Sequence, residues 1–184
     1  MFVLPLFPQG RAPRQGRVFP VVAFLLALAL ALPAAAADRT VAIFDFELID
    51  SSLEGAMMGE NADEQARLDR LAPDLREAIA ALPGYSVVDI APVRERAKKQ
   101  YLQSCGNCSQ TFAREVGADI AVTGTVQKVS NLILNINAYA FDAETGEAIA
   151  RGSADIRSNT DQSWQRGIDY LWENVLETQF EAAR

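Results

Sequence analysis

The 184-residue chain contains no histidine and only two cysteines. Histidine is the usual general base near neutral pH and the commonest transition-metal ligand in proteins. Its absence excludes serine and cysteine hydrolases of the histidine-assisted type. Two cysteines without histidine also fall short of a structural zinc site. We therefore predict a protein that is not an enzyme, with no catalytic residues, no bound metal and no cofactor.

Basic residues are also scarce, with 17 lysines and arginines against 24 aspartates and glutamates, which gives a formal net charge of −7. Affinity for nucleic acid depends on lysine and arginine side chains that displace counterions from phosphates. An acidic domain is likewise repelled by an anionic membrane face. We therefore expect a partner that is neither nucleic acid nor a membrane surface.

Only one long hydrophobic run is present, at residues 21–32, and an alanine-rich stretch follows it at residues 33–38. The run is preceded by three basic residues: Arg11, Arg14 and Arg17. This arrangement is typical of a secretory signal peptide. We predict that residues 1–37 are cleaved after export by the general secretory route. The remaining residues, 38–184, then form a single periplasmic domain.

An uncleaved membrane anchor over residues 18–37 is the alternative, because about 20 apolar residues can span a bilayer. Pro20 and Pro33 interrupt that stretch, which favours cleavage. Cleavage removes three arginines and no acidic residue, so the net charge falls from −7 to −10. No cysteine lies near the predicted cut, so we expect no lipid anchor and no membrane insertion after cleavage.

Hydrophobic periodicity predicts one α+β domain. Residues 68–82 carry apolar side chains at spacings of three and four, which is typical of an amphipathic helix that Pro73 kinks or divides. Residues 49–61 form a long predicted loop. Alternating or continuous apolar residues predict strands at 40–48, 85–90, 119–127, 131–141 and 148–157. The predicted order is β-α-β-α-α-β-β-β-α, with a mixed sheet of about five strands packed with helices.

The two cysteines form a Cys105-x-x-Cys108 pair, for which two interpretations are open. A thioredoxin-like redox centre would use the helix that follows the pair to lower a thiol pKa. The segment before the pair is predicted to be helical, whereas the redox motif normally follows a strand. A structural disulfide formed in an oxidising compartment is the preferred prediction.

Asp45 and Glu47 lie near the end of the first predicted strand, where alternation places both carboxylates on one side. They are candidates for binding a small polar ligand or a cation, against the alternative of ordinary solvated strand ends. The only basic cluster has the same ambiguity between an acidic partner and a solvated helix face. Its members are Arg94, Arg96, Lys98 and Lys99.

Trp164 lies on the apolar stripe of the last predicted helix, which favours core packing. The alternative is that it closes a pocket with Asp161 and Arg166. Ser130 and Asn131 occupy the predicted turn between two strands of the C-terminal half.

Six segments together resemble an uncharacterised family of exported proteobacterial proteins known only as a domain of unknown function. They are residues 41–48, 63–68, 105–108, 117–119, 124–134 and 159–164. More distantly, the chain is similar to the periplasmic domains of the curli secretion protein, the outer-membrane activators of peptidoglycan synthases and the TolB amino-terminal domain. This resemblance rests on the first strand, residues 117–126 and the hairpin at 142–147. It implies an anticodon-binding-like sandwich and non-catalytic roles in envelope assembly.

The sequence therefore predicts a soluble periplasmic accessory protein that binds another envelope protein and catalyses nothing. Its predicted contact surfaces are residues 49–61, which include the adjacent methionines Met57 and Met58, and a patch formed by the last helix and the predicted turn at Ser130 and Asn131. That patch comprises Ser130, Asn131, Asp161, Trp164 and Arg166. The alternatives are a binder of a small polar ligand or metal, with Asp45, Glu47 and Arg166 lining a cleft, and a thiol-disulfide oxidoreductase that uses Cys105 and Cys108.

Overall fold

A mixed β-sheet forms the centre of the computed structural model, which describes residues 37–184. Residues 1–36 of the predicted signal peptide lie outside the described part. The strands are β1 (Arg39–Ile43), β2 (Glu47–Asp50), β3 (Tyr85–Val87), β4 (Ile120–Ser130), β5 (Ile133–Asp142) and β6 (Ala148–Ile156). Their order is β3-β1-β4-β5-β6, and β2 pairs with β4. β1 and β2 run parallel to β4, and β1 also runs parallel to β3, whereas β4, β5 and β6 are antiparallel.

The helices are α1 (Leu53–Met58), α2 (Ala62–Ala81), α3 (Ala91–Ala97), α4 (Cys108–Glu115), α5 (Asp161–Leu171) and α6 (Glu177–Ala182), with a π-helical turn at Trp172–Leu176. The predicted α+β class is confirmed. The prediction of one long loop at residues 49–61 is wrong, because this segment contains the end of β2 and all of α1. Helix α2 continues through Pro73, so the chain is not divided into two helices there. Within residues 37–184, no helix has the length and apolarity needed to cross a bilayer.

Two hydrophobic clusters cover the two faces of the sheet. On one face, the apolar stripe of α2 and the α5–α6 segment pack on β1, β4, β5 and β6. Gly152 of β6 allows close packing there, because a Cβ at this position would overlap Val175 and Leu171. On the other face, α3 and α4 cover Ala42 and Phe44.

The sheet has six strands because the predicted first strand is divided by a β-bulge. Ile43 pairs with Val122 and Glu47 pairs with Thr125, so four steps along β1–β2 oppose three steps along β4. The extra residue reverses the alternation of side chains. Phe44 consequently enters one cluster and Phe46 enters the other.

Candidate functional site

The bulge between β1 and β2 places Asp45 at the centre of three cations. Arg94 binds the carboxylate with two hydrogen bonds of 2.7 Å, from Nε and Nη2. Arg76 Nη2 lies 3.4 Å from Oδ1 and Lys98 Nζ lies 3.6 Å from Oδ2. Burial raises the pKa of Asp45, but the hydrogen bonds from Arg94 and the positive charges of Lys98 and Arg76 outweigh it and hold the pKa below its usual value. A carboxylate bound in this way is a structural anchor rather than a free base.

Glu47 lies in the same cleft and has the opposite electrostatic environment. Its Oε1 accepts a hydrogen bond of 2.6 Å from the backbone N–H of Leu102. Burial nevertheless raises the pKa of Glu47 above its usual value, and the backbone hydrogen bonds of Leu102 and Gln103 only partly oppose this effect. Asp45 and Glu47 both line one cavity beside the bulge.

The pKa shifts of Asp45 and Glu47 lead us to expect opposite effects of pH on the stability of the protein. Folding raises the pKa of Glu47. The contribution of this side chain to stability is therefore complete below the pKa of the unfolded chain and is lost as the pH rises through the pKa of the folded protein. We expect Glu47→Gln to gain stability relative to the parent as the pH rises from about 4 to about 7. Folding lowers the pKa of Asp45, so Asp45→Asn should lose stability near neutrality and approach the parent below about pH 4. Urea unfolding from about pH 2 to about pH 7 measures both effects, and the same sign of the pH dependence for the two variants would contradict the assignment.

A second cluster surrounds Lys128, whose side chain is only 1% exposed. Its Nζ lies 2.5 Å from Glu64 Oε1, 3.2 Å from Asp50 Oδ2 and 3.5 Å from Glu54 Oε2. Burial lowers the pKa of Lys128, but the hydrogen bonds and charges of Glu64 and Asp50 outweigh it and raise the pKa above its ordinary value. The cluster joins β2, α1, α2 and β4, and we call it the Lys128 cluster.

Asn159 connects the Lys128 cluster to the start of α5. Its Nδ2 donates to Glu64 Oε1 at 2.5 Å and to Asn131 Oδ1 at 3.0 Å. Its Oδ1 accepts from Trp164 Nε1 at 2.9 Å and from Arg67 Nη1 at 3.2 Å. Asn131, which is exposed, also donates to Glu54 Oε2 at 2.6 Å. The turn between β4 and β5 is thereby tied to both α1 and α5.

An exposed apolar surface lies at the end of the sheet above the Lys128 cluster. Leu53, Met57 and Met58 of α1 are 76%, 77% and 80% exposed. Of the nine large hydrophobic side chains that are exposed in residues 37–184, seven lie at this end. We call these seven residues the apolar tip: Ile49, Leu53, Met57, Met58, Val129, Leu132 and Ile133. The hydrogen bond between Asn131 and Glu54 shows that α1 and the β4–β5 turn are neighbours.

The remaining predicted site residues differ in burial and in the contacts that they make. Trp164 is 1% exposed, so its assignment to a contact surface is wrong and it belongs to the core. Asp161 is exposed and pairs with Arg67 at 2.7 Å. Arg166 is exposed on α5 and does not line the cavity that Asp45 and Glu47 share, so the predicted cleft of Asp45, Glu47 and Arg166 is not formed. The half-buried Ser130 accepts a hydrogen bond from the backbone of Leu132.

The basic cluster is divided between two sites. Arg94 and Lys98 turn towards Asp45, whereas Arg96 pairs with Glu115 and lies 5.0 Å from the ring centroid of Phe112. The latter contact has cation–π geometry. Three of the four basic side chains in the cluster are thus engaged within the chain.

The Sγ atoms of Cys105 and Cys108 lie within bonding distance, and their Cα atoms are 5.8 Å apart. This Cα separation is in the range of protein disulfides. Both side chains pack against the cluster beneath α3 and α4. The arrangement is compatible with the structural disulfide, which stays a prediction.

Lys128 and Glu64 were not among the predicted site residues, although the sequence contains a signal for both. Lys128 continues the alternation of Ile120, Val122 and Val126 on the buried face of β4. Glu64 lies four residues before Leu68 on the buried stripe of α2. A charged residue in register with a buried stripe indicates an internal ion pair, because isolated buried charges are costly.

The charged side chains of both clusters are engaged with one another. Asp45 is saturated by Arg94, and the carboxylates of the Lys128 cluster are engaged by its ammonium group. Residues 37–184 contain no group of three or more acidic or cysteine side chains arranged to hold a metal ion.

Several solved structures are similar to this chain. The LpoB C-terminal domain from Salmonella enterica is 16% identical with a TM-score of 0.47, over 73% of this chain and 93% of that one. Lipoprotein GNA1162 from Neisseria meningitidis is 20% identical with a TM-score of 0.45, over 67% and 83%. TolB from Acinetobacter baumannii is 9% identical with a TM-score of 0.37, over 76% of this chain and 29% of that one. Because every TM-score is below 0.5, these similarities carry no conclusion about function.

The sequence matched none of the curated proteins with which it was compared. The profile of one family, DUF3280, described as "Protein of unknown function (DUF2380)", matches residues 39–176. This match spans every strand of the sheet and confirms the predicted assignment to a domain of unknown function. The chain therefore belongs to this family of proteins of unknown function.

Proposed function

We propose that the protein is a non-catalytic accessory protein of the bacterial envelope, which acts in the periplasm by binding another protein through the apolar tip. The observation that carries this proposal is the concentration of exposed large hydrophobic side chains at one end of the sheet. Contiguous exposed apolar surface on a folded domain is typical of interaction sites. Methionine side chains adapt readily to a partner surface.

The charge around the apolar tip specifies the partner further. Residues 47–66 contain no lysine or arginine, and Lys128 is the only basic residue between residues 120 and 150. Because Lys128 is buried, the α1 side of the rim presents carboxylates, namely Glu54, Glu60 and Asp63. An apolar surface that is acidic on this side fits a partner segment that combines apolar and basic side chains.

The two alternative functions have less support. A small polar ligand would have to displace Arg94 from Asp45, and Arg166 is not near that cleft. A thiol oxidoreductase would need an accessible thiol at its reactive position. The cysteines instead pack against a hydrophobic cluster.

Site-specific photo-crosslinking in the cells that produce the protein tests the proposal. A photoreactive residue at Met57 or Leu132 is expected to capture the same protein, while one at Tyr170, an exposed position on α5, should not. Mass spectrometry of the product also shows whether the mature chain begins near Asp38. Equal capture from all three positions, or none from the apolar tip, contradicts the proposal.

A triple variant, Leu53→Ser, Met57→Ser and Met58→Ser, separates binding from folding. These side chains are mostly exposed, so we expect stability to change by no more than about 0.5 kcal/mol per site. Capture from Leu132 should fall at least about tenfold, which corresponds to about 1.4 kcal/mol of binding free energy. Tyr170→Ser is the matched control and should retain full capture.

A further inference from the structure

β2 has one edge that no strand of residues 37–184 occupies. It pairs with β4 and with no other strand in that range. The N–H of Ser51 donates to the C=O of Lys128 at 2.9 Å, so Ser51 faces β4. Because residues alternate along a parallel strand, Ile49 also faces β4, and Leu48 and Asp50 turn their backbone N–H and C=O groups to the outer side.

A groove runs along this outer edge. Two adjoining cavities, of about 300 Å³ and about 490 Å³, share Leu48, Gln65 and Leu68 as lining residues. They therefore lie side by side between β2 and the first half of α2, and we call them together the β2 groove. Leu48 and Leu68 make its centre apolar, while its backbone groups lie at the edge.

The outer edge of β6, in contrast, is blocked by a side chain. Gln179 places its side-chain amide against Arg151, with Oε1 accepting from the backbone N–H at 3.1 Å and Nε2 donating to the C=O at 3.0 Å. This side chain takes the position of a neighbouring strand at that point and prevents further pairing there. Proteins protect free sheet edges in this way against unwanted strand addition. In the part of the chain that the structure describes, no side chain blocks the outer edge of β2 in this way.

The two ends of the β2 groove differ in charge. Arg94 and Lys98 lie at one end, with roughly half of each side chain exposed, beside Asp45 and Asp69. Glu60 lies exposed at the other end, where α1 borders the groove. An occupant that matches this pattern has an acidic side chain at one end, apolar side chains in its centre and a basic side chain at the other end.

We propose that the β2 groove binds an extended segment of another protein, which adds as a strand to the outer edge of β2. Backbone hydrogen bonds to Leu48 supply affinity, as in other cases of strand addition, and the charged ends select the segment. This surface is separate from the apolar tip, since Leu53, Met57 and Met58 do not line the groove. Binding at the β2 groove can therefore be tested separately from binding at the apolar tip.

A phage-displayed library of random heptapeptides, panned on the full chain, tests the groove. We expect enrichment of peptides with opposite charges at their ends and apolar residues between them. One enriched peptide is then synthesised, and its binding to two variants of the protein that differ at residue 48 is measured by fluorescence anisotropy. Leu48→Ala retains the outward N–H, whereas Leu48→Pro removes that donor without removing a hydrogen bond to β4. We expect at least tenfold weaker binding to Leu48→Pro than to Leu48→Ala.

A second variant keeps the test decisive if the proline disturbs folding. Gln65 is exposed and lines both cavities, so Gln65→Trp fills the groove from the surface of α2. It should fold as the parent does, by circular dichroism, and lose at least tenfold in peptide affinity. The triple serine variant of the apolar tip should bind the peptide unchanged. Failure to enrich any peptide, or equal binding to the parent and Gln65→Trp, overturns the proposal.

Discussion

Replacing Lys128 with methionine is expected to lower the free energy of unfolding by about 3–5 kcal/mol, because it leaves a buried carboxylate without its counter-charge. Glu64 is the carboxylate most affected, since its side chain is 2% exposed and its Oε1 lies 2.5 Å from the ammonium group. Asp50 and Glu54 are more exposed and can be solvated by water. Equilibrium unfolding in urea, followed by circular dichroism, measures the loss.

A double variant, Lys128→Met with Glu64→Gln, distinguishes this cause from lost packing. Both charges are then absent, and the glutamine oxygen still accepts the hydrogen bond from Asn159. Because the unpaired charge is the main cost, we expect the double variant to recover most of the stability lost by the single one. A double variant no more stable than Lys128→Met would show that the ion pair is not what the site requires.

Replacing Trp164 with alanine is expected to cost about 3–5 kcal/mol, as for other large buried aromatic residues. The indole ring is among the largest fully buried side chains in residues 37–184, and Nε1 donates to Asn159. The loss should also loosen the turn at Asn131, which Asn159 holds by a hydrogen bond of 3.0 Å. Chemical denaturation measures the stability, and hydrogen exchange at the turn measures the local effect.

Two controls separate the contributions of this side chain. Trp164→Phe keeps most of the apolar contact and removes the N–H donor, so a smaller loss of about 1–2 kcal/mol is expected. Arg166→Ala, two residues away on the exposed face of α5, should change stability by less than about 0.5 kcal/mol. Comparable losses for Trp164→Ala and Arg166→Ala would contradict the assignment of Trp164 to the core.

The regular parts of the fold could be predicted from the sequence because each has a clear period. The alternation in β4, β5 and β6 and the stripe of α2 indicated buried faces that the structure contains. The division of the first strand could not be predicted. Phe44, Phe46 and Leu48 alternate as in a single strand, and only the register against β4 shows the extra residue. Such a bulge is tolerated because a Cβ at residue 124 is absent, which leaves room for the ring of Phe46.

The candidate site was predictable only in part, for a related reason. Alternation indicated Asp45 and Glu47 as candidates. Arg76 and Arg94, which bind Asp45, come from α2 and α3, and the N–H that binds Glu47 belongs to Leu102, all of them distant in sequence. Trp164 and Arg166 are neighbours in the chain, yet helical geometry turns one into the core and the other to solvent. Sequence position alone cannot show which elements meet across a sheet, whereas the charges of Lys128 and Glu64 within buried stripes were a usable signal.

Because β1 runs parallel to β4, the start of β1 lies at the opposite end of the sheet from the apolar tip. Val41 pairs with Ile120 at the start of β4, whereas the apolar tip lies at the other end of β4, around Lys128. Eleven residues of extended strand at about 3.3 Å each separate the two ends by about 35 Å. A fluorophore or biotin attached just ahead of Arg39 therefore sits at the far end from the apolar tip. Immobilisation through that point leaves the tip directed outward, so binding measurements can be made with it unobstructed.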